Sequence, residues 1–207
     1  MGICYIKTLS ENTVLGLWKM TEPWQELKEQ LQLTPADEKL LSEKKTDVRR
    51  QEWLACRILI KNITSVDPEI TYDHNRKPHM AGSKQHISMS HSGEYACVYL
   101  SETKETGIDI QKLKPSISKG ADYFLNEAEM DWVDVENNLL LHIIWSAKES
   151  AFKFAGDPDL DLKKHIITNR FDGNQKGKIE VSVLKPELNT VHIAYDTFDD
   201  YVLSWTI

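Results

Sequence analysis

A short pattern in this chain is written twice. His86-Ile87 through Glu94-Tyr95 recurs, shifted by 106 positions, as His192-Ile193 through Asp200-Tyr201. Each copy reads as strand, turn, strand, the first broken at Ser92-Gly93. A helical pattern recurs too: Trp53-x-Ala55…Lys61 returns as Trp145-x-Ala147…Lys153, at a different offset. Strings this short also recur by chance, but both kinds of element repeat in the same order. The expected fold class is therefore α+β, built as two pseudo-symmetric halves over residues 1–103 and 104–207. Clefts between domains are frequent ligand sites, so the active site is expected between the halves. A chain that already contains both halves is expected to act as a monomer.

The remaining elements follow from periodicity. Helices are expected over Trp24–Leu33, from Pro35 onward, over Val48–Ile63, over Asn126–Asn137 and over Ile143–Ala155. A strand is expected at Thr106–Ile110, and three more between Ile179 and Ile207. The polar stretch Asp73–Gly82, with Pro78, reads as a loop.

Composition excludes several classes. Of 207 residues, 28% are charged and 41% apolar, the balance of a globular chain rather than a disordered one. No stretch reaches the ~20 consecutive apolar residues of a membrane helix, and the N-terminus lacks a signal-peptide pattern. A cytoplasmic protein without membrane contact is expected. Cys4, Cys56 and Cys97 are odd in number and widely spaced, which argues against a disulfide framework or thiolate metal site. The net charge of −7 argues against general nucleic-acid binding, although local basic patches can still meet anions.

Three segments carry chemistry. In Trp145-Ser-Ala-Lys-Glu-Ser-Ala-Phe-Lys153, helical spacing puts Trp145, Glu149 and Lys153 on one face. Spacing alone is met more simply by an ordinary surface pair of Glu149 and Lys153. In Thr106-Gly-Ile-Asp-Ile-Gln111, strand spacing points Asp109 and Gln111 the same way. Their oxygens are hard donors of the kind Mg²⁺ prefers, but a strand-end Asp also caps turns. In Ile87-Ser-Met-Ser-His-Ser-Gly93, Ser90 and His91 could bind phosphate, or form the polar end of a hairpin. Neighbouring strand residues face opposite ways, so they make a poor nucleophile–base pair. Asp157–Asp161 starts like a calcium loop but has Leu162 and Thr168 where Gly and Glu are needed.

In order along the chain, Arg76-Lys77-Pro78, Ser90-His91-Ser92, Gly107-Ile-Asp-Ile-Gln111, Phe124-Leu-Asn-Glu-Ala-Glu129 and Trp145-Ser-x-Lys-Glu-Ser-x-x-Lys153 resemble the phosphopantetheinyl transferase family, in its larger single-chain form. The resemblance covers most of the chain from about Arg49 onward. It implies two α+β halves that use coenzyme A and Mg²⁺ to load the phosphopantetheine arm onto a serine of an acyl or peptidyl carrier protein. It implies Asp109, Gln111 and Glu149 at the metal, and Lys153 on the pyrophosphate. Lys77, Ser90 and His91 would contact nucleotide phosphates, as would Arg50, for which Arg49 and Arg57 compete. Glu129 would be a base or a metal ligand, with Glu149 and Lys153 also catalytic. Many relatives carry glutamate where this chain has Gln111, which removes a charge and moves base catalysis onto Glu129. Leu113, Lys112, Lys114 and Lys119 are the candidate carrier-docking residues. The alternative is a catalytically silent coenzyme A or carrier-binding protein on the same fold.

Overall fold

The computed structural model describes residues 2–207. They form two compact units, one ending at Glu105 and one spanning Thr106–Ile207. Each is a helix packed on an antiparallel sheet, so the α+β expectation holds.

The first unit opens with a hairpin, β1 (Ile3–Ser10) and β2 (Thr13–Lys19). Three helices follow: α1 (Trp24–Lys28), α2 (Pro35–Ser42) and α3 (Asp47–Thr64). Strands β3 (Ile70–Tyr72), β4 (Pro78–Met80), β5 (His86–Ser92) and β6 (Tyr95–Ser101) complete a six-stranded sheet in the order β1-β2-β6-β5-β4-β3. Thr46 starts α3 by accepting the Arg49 N–H at 3.2 Å, and Ser65, left-handed at φ 62°, ends it. Its apolar stripe of Leu54, Ala55, Ile58 and Leu59 is buried against Trp18, Ala96, Val98 and Leu100.

The second unit runs β7 (Ile108–Lys112), a 3₁₀ turn (Pro115–Tyr123), α4 (Glu127–Met130), α5 (Asn138–Ala155), β8 (Ile166–Thr168), β9 (Lys176–Val183), β10 (Asn189–Phe198) and β11 (Tyr201–Thr206). Its sheet order is β7-β11-β10-β9-β8. Asn137 caps α5 through the Leu140 N–H at 3.0 Å, and Gly156 closes it in the left-handed region at φ 65°. Ile143, Ala147 and Ala151 pack on Ile179, Val181, Ile193 and Val202.

The two units share one topology. Without β1, the first sheet reads β2-β6-β5-β4-β3, and raising each number by five gives the second. In both, the long helix of 18 residues joins the first of these strands to the next. The hairpin registers also coincide at the sequence offset: Ser92 pairs with Tyr95 as Phe198 does with Tyr201, and Ser88 with Tyr99 as Ala194 does with Trp205.

Several elements differ from expectation. The hairpin β1–β2 was not anticipated, because β1 is an edge strand whose residues are mostly exposed and show no alternation. The stretch expected to be a loop around Pro78 contains β4, where proline pairs with Tyr72 at the strand's first position. The first helix stops at Lys28 rather than Leu33. The helix expected over Asn126–Asn137 is confined to Glu127–Met130, because side chains recapture the backbone: Asp134 accepts the Glu136 N–H at 3.0 Å, and Asn137 restarts the helix as α5.

Candidate active site

Strand β7 and helix α5 approach closely because Gly107 lies between them. A Cβ on Gly107 would sit 1.9 Å from the Ser150 carbonyl oxygen, so no side chain fits there. Helix α5 is also tied to β11 through a buried hydroxyl trio. Ser146 Oγ and Ser150 Oγ each lie 2.8 Å from Ser204 Oγ, and Ser150 Oγ donates to the Ser204 carbonyl at 3.0 Å. The serines of the W-S-x-K-E-S string and the glycine of G-I-D-I are thus what allow the strand and the helix to meet.

Where they meet, four expected residues come together. Asp109 is 2% exposed on β7. Its Oδ1 accepts from Lys153 Nζ at 2.8 Å, and its Oδ2 from Gln111 Nε2 at 2.8 Å. Lys153 Nζ also donates to the Ile108 carbonyl at 3.0 Å. Glu149 stands one helical turn before Lys153. Burial, and next the Asp109 charge, push its carboxyl from 4.5 up to about 7, only partly countered by Lys153. The buried Glu149 carboxylate therefore lacks a full counter-charge of its own. That is the condition a bound divalent cation relieves, and one or two carboxylates with phosphate oxygens are a usual Mg²⁺ set. Among the described residues no cluster of three or more His, Cys, Asp or Glu forms a metal cage; the oxygen donors gathered here are two carboxylates and an amide. Trp145, on the same face, packs edge-on against Phe124 at 5.1 Å.

Glu129 has a different surrounding. It is fully buried, and all four of its acceptor positions are used. Oε2 accepts from the Asn126 N–H at 3.0 Å and from Lys148 Nζ at 2.7 Å, while Oε1 accepts from the Thr168 N–H at 2.8 Å and from the Thr168 hydroxyl. Lys148, equally buried, spends its other protons on the Phe124 and Leu162 carbonyls at 2.5 and 3.0 Å. Burial lowers the Lys148 ammonium from its ordinary value and the Glu129 carboxylate opposes that. The geometry leaves Glu129 no lone pair for an incoming hydroxyl, so the base role expected from sequence does not fit it. Lys148 was not singled out from sequence. Its signal was a charged residue on the buried stripe Leu141, Ile144, Lys148, Ala151.

The other four candidates belong to the first unit. Lys77 follows a tight turn in which Asp73 Oδ1 accepts the Asn75 and Lys77 N–H groups, both at 2.9 Å. Its Nζ lies 2.5 Å from Glu105, whose other oxygen is 3.0 Å from His86 Nδ1. Ser90 and His91 are neighbours on β5, so their side chains leave opposite faces of the sheet. His91 Nδ1 lies 3.2 Å from Glu52 of α3. Arg50 pairs with Asp47 at 2.6 Å and rests near the Trp24 ring. Of its competitors, Arg49 pairs with Glu52 at 2.9 Å. Arg57 is 1% exposed, lies 3.3 Å above the Trp53 ring and 3.6 Å from Asp37, and is a core residue.

No helix among the described residues is long and apolar enough to cross a membrane. Sequence comparison adds what the chain is similar to. A protein named 4'-phosphopantetheinyl transferase AcpT from Salmonella typhi is 32% identical over 124 residues, covering 56% of this chain and 65% of that protein. Its namesake from Escherichia coli K12 is 36% identical over 115 residues, covering 52% and 59%. The chain thus spans less than two thirds of the length of either relative. The profile of the 4'-phosphopantetheinyl transferase superfamily matches residues 105–206, which hold Asp109, Glu149 and Lys153. Through that unit, the chain is similar to the 4'-phosphopantetheinyl transferase superfamily.

Proposed function

We propose that this protein transfers the 4'-phosphopantetheine group of coenzyme A to a serine of an acyl or peptidyl carrier protein, with Mg²⁺, releasing 3',5'-ADP. The observation that carries the reading is the grouping of Asp109, Gln111 and Lys153 by direct hydrogen bonds, with the buried Glu149 carboxyl beside them. It lies inside the stretch that matches the family.

In this reading the serine Oγ attacks the β-phosphorus of coenzyme A, the bond to 3',5'-ADP breaks, and the serine proton leaves. Asp109 and Glu149, with Gln111 beside them, are the residues that would hold the metal. Mg²⁺ supplies, when bound, Lewis-acid stabilisation of charge on the phosphate oxygens. Lys153 exchanges its contact with Asp109 for one with the pyrophosphate, adding a fixed cation where charge develops. Of the two glutamates with an expected catalytic role, Glu149 is the partly accessible one. As a ligand of the metal it is not also a free base, so the serine proton passes to a water at the site. Glu129 holds α5 in place through Lys148. Lys77, His91, Ser90 and Arg50 are assigned to the phosphates of coenzyme A. Lys77 and His91 carry more weight than Ser90, which is 8% exposed on the opposite face of β5 from His91. For the carrier, Lys114 and Lys119 are exposed, and Tyr123, 80% exposed, replaces Leu113, which packs into the core of its unit.

Intact-mass analysis of apo carrier proteins incubated with this protein, coenzyme A and Mg²⁺ tests the proposal. A gain of one phosphopantetheine is expected, lost with EDTA and in Glu149→Ala. One feature favours a silent coenzyme A-binding protein instead: Gln111 already donates to Asp109 Oδ2, a lone pair the metal would need. Coenzyme A binding without transfer to any of several carriers would select that second reading.

A further inference from the structure

Glu52 is a glutamate on the buried stripe of α3, in line with Ala55, Cys56 and Leu59, and is only 7% exposed. A carboxylate in such a place is unfavourable unless its oxygens are engaged. Both are. Oε2 accepts from Arg49 Nη1 at 2.9 Å, and Oε1 lies 3.2 Å from His91 Nδ1. The histidine reaches α3 because β5 alternates: Ile87, Met89 and His91 share the side whose apolar members pack into the α3 core. An ionised carboxylate only accepts, so the proton in this contact sits on Nδ1. Arg49, one turn earlier on α3, fixes the rotation of the same carboxylate through its other oxygen.

We propose that Glu52 is a positioning residue: it clamps His91 through Nδ1 and so sets the ring orientation and tautomer with which His91 meets a phosphate of coenzyme A through Nε2. This rests on the assignment of His91 to coenzyme A made above. The arrangement follows a general rule for histidines with a task, in which the hydrogen bond at one ring nitrogen decides what the other can do. Glu52 does not itself touch the ligand.

Coenzyme A affinity by calorimetry, measured on a double-mutant cycle of Glu52→Gln and His91→Ala in the full chain, tests this. Each single variant is expected to weaken binding roughly tenfold, the loss of about one charge-assisted hydrogen bond. The double variant should be no weaker than His91→Ala alone. In parallel, nitrogen-15 NMR of the His91 ring should show a protonated Nδ1 in the unsubstituted protein and a changed ring signature in Glu52→Gln. Equal additional losses in the His91→Ala background, or an unaffected affinity in Glu52→Gln while His91→Ala weakens binding, would overturn the inference alone. Unaffected affinity in His91→Ala would overturn the assignment of His91 as well. If Glu52→Gln does not fold, the unsubstituted protein still decides, because an unprotonated Nδ1 is incompatible with the clamp.

Discussion

Gly107 stands so close to Ser150 that a Cβ on the glycine would lie 1.9 Å from the Ser150 carbonyl oxygen and 2.9 Å from the Phe154 nitrogen. Both are backbone atoms of α5, which cannot swing aside as a side chain can. Gly107→Ala must therefore push α5 off β7. Overpacking of this kind costs about 1–3 kcal/mol, and here it also separates Asp109 from Glu149. Urea unfolding should show a lowered midpoint, and transfer activity should fall further than the loss of folded protein explains. An alanine variant with unchanged stability and activity would contradict the close packing.

The buried Lys148–Glu129 pair makes a second prediction. Removing one partner leaves the other charge uncompensated, at a cost of about 3–5 kcal/mol. Glu129→Ala should lower the melting temperature and make limited proteolysis of the second unit faster. A Glu129 acting as base would behave oppositely: the variant would melt normally and lose kcat.

Glu149 is expected to trade stability for function. Its carboxyl is raised from 4.5 to about 7 in the folded, metal-free protein. The folded state therefore holds the proton more tightly than the unfolded chain. The associated stability is fully present below about 4.5 and is lost as pH rises through about 7, a linkage of about 3 kcal/mol. In metal-free protein at pH 8, Glu149→Gln should be more stable than the unsubstituted chain, yet fail to bind Mg²⁺ with coenzyme A by calorimetry. A destabilised Gln variant at that pH would show that the carboxylate is not under electrostatic strain.

His142 makes the pH dependence of the second unit testable away from the metal group. Its Nε2 accepts the Lys114 N–H at 3.0 Å and its Nδ1 donates to the Asn138 carbonyl at 2.8 Å, so the neutral ring satisfies both contacts. Protonating Nε2 would set two N–H groups against each other. Burial accordingly lowers the imidazole from its ordinary 6.5. A depressed folded value means that the unfolded chain protonates first, so this stability is present above 6.5 and is lost as pH falls below it. Denaturation midpoints between pH 7.5 and 5 should drop more steeply for the unsubstituted protein than for His142→Gln. Parallel curves would rule this out.

Local pattern in the sequence determined much of this protein. Alternation around Ser92-Gly93 and the 106-residue offset marked both hairpins, and the long helices α3 and α5 were legible from their apolar stripes. Strand and helix periods paired Asp109 with Gln111 and Glu149 with Lys153, and only the resemblance put the two pairs at one site. Periodicity says nothing about what stands opposite that face. Only tertiary packing decided that Glu129 is saturated by Lys148 and Thr168, that Arg57 is buried beside Asp37, and that Glu52 reaches His91. The same holds for the glycine of the G-I-D-I string. Its necessity comes from a helix 43 residues later in the chain, at Ser150, and no local window contains that contact. A charge on an apolar stripe can be read in one dimension, but its partner is fixed only when distant segments meet in three.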